Sequence, residues 1–103
     1  MKFLRFSMMD VADIPKVAQA SDKVMANPPT GFKMLSNNAC MGIAFPGQPA
    51  NTLVAVATVE AESADVLAAA SYPLTIAGAS VWVVPVLDVP VAGSTEVEKK
   101  MRG

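Results

Sequence analysis

The run VLAAASYPLTIAGASVWVVPVL, residues 66–87, decides what kind of protein this is. It carries no charge over 22 residues, a length that can cross a bilayer as one helix. Its internal chemistry argues for three pieces instead. Pro73 and Gly78 interrupt it, and Pro85 sits near its end. The first half is rich in alanine, a strong helix former; the second is β-branched and suits a strand. The reading is helix, loop, strand, and the membrane-spanning alternative is set aside. Ser63 is placed to cap the helix, Asp65 suits the positive end of its dipole, and Pro73 is expected to stop it near Tyr72. The strand is expected over Val81–Leu87, with Pro85 confining its end to an edge or bulge.

Working outward, Thr52–Val59 reads as a strand rich in valine and alanine. Phe32–Phe45 reads as an extended partner, joined to it by a loop at Pro46–Asn51. An irregularity is expected around Ser36-Asn37-Asn38, since asparagine bonds its own backbone and favours turns and bulges. Near the start, Lys2–Met9 alternates: Leu4, Phe6 and Met8 on one face, Phe3, Arg5 and Ser7 on the other. The wholly apolar face is expected to meet helices. Asp10 or Asp13 is expected to cap a helix with Pro15 in its first turn and an apolar stripe at Ile14, Val17, Ala18, Ser21, Val24 and Met25. Asn27-Pro28-Pro29 ends that helix. Residues beyond Pro90 read as a polar tail, with Thr95 and Glu98 spaced for a capping box.

The order is therefore β-α-β-β-α-β, an α+β, ferredoxin-like plan over residues 1–90 followed by a tail over 91–103. Right-handed crossovers put both helices on one face of a four-stranded antiparallel sheet. The other face is bare, yet Met34–Val59 contains no charged residue. A water-exposed face should alternate with charge, so two sheets are expected to pack together in a homodimer or higher homo-oligomer. With 52% hydrophobic and 17% charged residues in 103, the chain is short of charge for a small domain.

The element order, the PPTGFKML run at 28–35, the TVEAESADVL junction at 58–67 and the VWVVPVLD end at 81–88 resemble the dimeric α/β-barrel superfamily and, within it, a bacterial family of unknown function. The likeness covers about residues 1–90. It implies a dimer built from two ferredoxin-like sheets. Members often carry a tryptophan-histidine pair on the second strand, where this chain has Asn37, Asn38 and Ala39. The superfamily includes isomerases, cofactor-free monooxygenases, haem-dependent chlorite and dye peroxidases and stress-induced proteins, so fold does not choose the chemistry.

Composition narrows that choice. There is no histidine, which removes the commonest general base, metal ligand and haem ligand. The acids show no metal-ligand spacing, and the glycines form no phosphate-binding loop. No metal and no cofactor is expected. Cys40 is the single cysteine, so no internal disulfide forms, and an apolar strand predicts an inert thiol. The eight basic residues against nine acidic form no patch beyond the tail, so no nucleic-acid partner is expected. The start, MKFLRF, lacks the apolar run of a secretory signal, and a cytoplasmic location is the expectation.

Arg5 is the first candidate for binding: a guanidinium mid-strand among apolar neighbours, on the face assigned to the dimer interior, needs an anion. The alternative is an arginine snorkelling to solvent. Asn37 and Asn38 could orient a ligand carbonyl, and Tyr72 and Trp82 offer aromatic surface with a donor. Lys33 reads as a solvated strand end. Three functions stay open. One is a non-catalytic homo-oligomer holding a small apolar or weakly acidic molecule between its sheets. Another is a cofactor-independent monooxygenase or isomerase. The third is an interaction subunit recruiting partners through its tail.

Overall fold

A computed structural model describes all 103 residues. The sheet contains β1 (Lys2–Asp10), β2 (Phe32–Cys40), β3 (Thr52–Ala61) and β4 (Ser80–Pro85), in the spatial order β2-β3-β1-β4. Every neighbouring pair is antiparallel. Helices α1 (Ile14–Ala26) and α2 (Ala64–Ile76) connect β1 to β2 and β3 to β4, and α3 (Ser94–Arg102) follows. The β-α-β-β-α-β order is thus the one predicted, and residues 66–87 do divide into helix, loop and strand. No helix is long and apolar enough to cross a membrane.

Local chemistry explains the boundaries. Ser63 Oγ accepts a hydrogen bond from the Val66 amide at 3.2 Å, satisfying one free donor of α2. Ser63→Ala should therefore cost about 1 kcal/mol, measured as a lower urea midpoint at unchanged slope. Pro73 does not stop α2, which continues to Ile76. The bond that proline deletes is to the carbonyl of Ala69, a residue on the exposed side of the helix. At α1 neither Asp10 nor Asp13 makes a side-chain cap bond. A 3-10 turn over Val11–Asp13 leads into the helix instead, and Pro15 occupies its first turn as expected. β4 ends at Pro85, two residues short of the predicted limit. The tail is helical, but Gly93 rather than a threonine precedes it, and none of its residues is buried.

The largest correction concerns the faces of β1. Phe3, Arg5, Ser7 and Met9 face the helices, whereas Leu4, Phe6 and Met8 lie on the open side. The core forms in two parts on the helix side. One joins Phe32, Ala57, Val59 and Ala61 to Leu67 and Ala70 of α2; the other joins Met9, Val17, Leu74 and Ala79. Two apolar faces defeat a rule that assigns the more apolar one inward, because alternation fixes only that they differ. On the open side Trp82 stacks on Phe6, with centroids 5.4 Å apart and planes 5° apart. Phe45, from the β2–β3 connection, meets Trp82 edge-on at 6.1 Å. Gln48 braces that connection by accepting from the Ala44 amide and donating to Thr52. Val54, on the same side, is completely covered.

A candidate anion-binding cleft between sheet and helices

Opposite Arg5 on the helix side lies a row of small side chains. Arg5 of β1 is in register with Ala57 of β3, and Ala57 with Asn37 of β2. One row along, Ser7 pairs with Ala55; the next pairs Met9 with Leu53. Two alanines and a serine leave the sheet short of volume where the helices pass over it. The roof is equally small, with Ala18 and Ser21 of α1 above the floor, and Ile14, Val17 and Leu74 close the far end. The result is a cleft of about 150 Å³. A cavity of ~150 Å³ in another protein interior accepts benzene, so this volume suits a small organic molecule.

Chemistry is unevenly distributed along the cleft. Arg5, Ser7, Ser21 and Asn37 carry its polar atoms, and the Met9–Leu53 end is apolar. Arg5 is only 3% exposed. Its Nη1 donates to the Ala70 carbonyl at 3.4 Å and the Ser71 hydroxyl at 3.5 Å, both long. Its Nε is buried with no partner at all. The guanidinium carbon lies 5.8 Å from the centre of the Phe32 ring, a cation–π contact that offsets part of the desolvation. Since Phe32 belongs to β2, the side chain leans across β3. The ion pairs of the fold are Lys2–Asp88, Lys99–Glu96 and Arg102–Glu98, and Arg5 enters none. Burial pushes its pKa below the usual arginine value, though a guanidinium stays charged in a protein. A buried cation without a counter-charge is costly.

The remaining candidates separate. Asn37 stands on the helix side at the cleft's mouth, and Asn38, its neighbour, turns to the open side opposite Val56. The irregularity predicted at Ser36–Asn38 is present one residue earlier, as a bulge between Met34 and Ser36 that leaves Leu35 unpaired. Tyr72, 64% exposed on α2, and Trp82, 37% exposed on β4, flank a separate surface groove with Leu67 and Thr75. A single aromatic site containing Arg5, both asparagines, Tyr72 and Trp82 is therefore not formed. Nor is Arg5 on the open face: the cleft it lines lies between sheet and helices. Lys33 is exposed, and Cys40 is half-buried. No group of histidine, cysteine, aspartate or glutamate is placed to hold a metal. The sequence reading missed Ser7, Ser21 and the alanine floor. Their one signal was smallness at positions where an amphipathic helix or buried strand usually carries Leu, Ile or Val.

No protein-family model and no curated protein matches the chain. Among solved structures, it is similar to the crystal structure of a DUF3240 family protein from Shewanella baltica OS155. The identity is 11%, the match covers 89% of this chain and 97% of that one, and the TM-score is 0.43.

Proposed function

We propose that the protein binds a small organic anion, a monocarboxylate with an apolar body, in the cleft between sheet and helices. The observation that carries this reading is Arg5: buried, with no acidic partner and an unpaired Nε, at the wall of a cleft lined mostly by apolar groups. A carboxylate at that wall supplies the missing charge, and hydrogen bonds between a guanidinium and a carboxylate are among the strong ones. The apolar end then takes the hydrocarbon part. With no histidine or acid in the cleft, binding is the chemistry these side chains perform. Titration with benzoate, 3-phenylpropionate and hexanoate, against the matching alcohols, tests it. At a hundred times its Kd, a carboxylate should add about 2.7 kcal/mol of stability. Equal shifts from acid and alcohol would remove the anion from the proposal.

A second reading concerns assembly and rests on the open face. Lys2, Glu60 and Lys33 form one charged row at its edge. Past them, Leu4, Phe6, Met8, Val56, Trp82 and Val84 present an uncharged surface. Such a surface, rimmed by charge, suits contact with the same face of a second copy, as in the dimers of the superfamily the sequence resembles. On this reading each protomer keeps its own cleft on the side away from the interface.

A further inference from the structure

The bulge in β2 has a consequence for which molecule the cleft prefers. Met34 is opposite Val59 on the helix side. In a regular strand the next helix-facing residue would be Ser36, opposite Ala57. The extra residue at Leu35 shifts the ladder, so Asn37 takes that place and joins the row of Arg5. Bulges commonly re-aim a side chain in this way beside functional sites. Arg5 and Asn37 are then two strand spacings apart, about 10 Å between Cα atoms. Both side chains line the same cleft, with the small Ala57 between them. Ligand-binding polar groups therefore gather at one end of the cleft, and Met9, Leu53 and Ile14 form the other.

We infer that Asn37 selects 2-oxo and 2-hydroxy monocarboxylates with an apolar tail, binding the oxygen on the carbon next to the carboxylate that Arg5 holds. The inference rests on the carboxylate reading and adds the second polar contact. A ligand meeting this layout needs its two polar groups adjacent and its hydrocarbon pointing away. A distal polar group would fall among Met9, Leu53 and Ile14 and lose its hydration. The asparagine amide both donates and accepts, so it serves a ketone or a hydroxyl. Because Asn37 is exposed at the mouth, its replacement leaves the core intact.

The test is calorimetric titration of the full chain with 4-methylpentanoate, 4-methyl-2-oxopentanoate and 4-methyl-2-hydroxypentanoate, using the wild type, Asn37→Ala and Arg5→Met. The wild type should bind one or both 2-substituted acids roughly tenfold tighter than the parent acid, the worth of one good hydrogen bond. Asn37→Ala should bring the three acids to equal affinity. Equal affinity for all three acids in the wild type, or a preference that survives Asn37→Ala, overturns the role of Asn37 while binding by Arg5 stands. If none of the acids binds, or Arg5→Met binds 4-methylpentanoate as the wild type does, the carboxylate reading falls and the selection goes with it.

Discussion

Arg5→Met should make the ligand-free protein more stable while abolishing its response to carboxylates. Methionine keeps the length and volume of the aliphatic stem and removes a charge that no acid in the fold neutralises. Replacing even a buried ion pair by well-packed apolar side chains is often neutral or stabilising by about 1–4 kcal/mol, and Arg5 has no ion-pair attraction to lose. The two hydrogen bonds lost, to Ala70 and Ser71, are at the long limit of such bonds, so they offset little of that gain. For a domain of this size, each kcal/mol raises the melting temperature by about 4–8 °C. Thermal unfolding with and without 3-phenylpropionate reads both halves of the prediction. A variant that melts well below the wild type would mean that Arg5 holds α2 to the sheet and is structural. A variant that melts higher yet still responds to the acid would place the anion elsewhere.

If the open faces pair as proposed, Phe6→Glu should convert the dimer to monomers without unfolding the domain. Phe6 occupies the middle of β1 on the open face, beneath the stacked ring of Trp82. A symmetric sheet-to-sheet dimer buries two such carboxylates, one from each protomer, in a surface with no cation nearer than the Lys2–Glu60–Lys33 row. Like charges desolvated at an interface cost several kcal/mol, enough to move a micromolar dimer to the millimolar range. Within one protomer the loss is smaller: the aromatic stack is worth about 0.5–1.5 kcal/mol, and the open face leaves the glutamate a route to water. Sedimentation velocity at about 10 μM (ten times a micromolar Kd) distinguishes the cases. The wild type should sediment as a dimer or larger and the variant as a monomer that still binds carboxylates. A wild-type monomer across that range would leave the open face without its proposed partner.

The elements differ in how much of their structure the local sequence encodes. The order of strands and helices followed from residue chemistry: alternation in β1, the alanine-to-valine change within residues 66–87, the Ser63 cap and the prolines after Ala26. Arg5 stood out as an anomaly because a guanidinium mid-strand among apolar residues is conspicuous wherever it points. Asn37 and Asn38 drew notice as a pair, and alternation in the folded strand then gave them opposite faces. Pro73 misled, since the cost of an interior proline depends on whether the carbonyl it orphans can reach water, and Ala69 lies on the exposed side of the helix.

What the sequence by itself determined is the list of elements, the absence of histidine chemistry and the presence of one unexplained buried-type cation. What only the tertiary structure decided is which side of the sheet that cation occupies. Period-two alternation separates two faces but carries no label for inside, and both faces here are apolar enough to be buried. The choice came from distant parts of the chain. Leu67, Ala70 and Leu74 of α2 and Val17 of α1 pack on the odd-numbered residues of β1 and β3. The small residues Ser7, Ala55, Ala57, Ala18 and Ser21 then leave a cleft where they meet. A cavity is a shortage of volume shared among side chains from three elements, and no single stretch of sequence contains it.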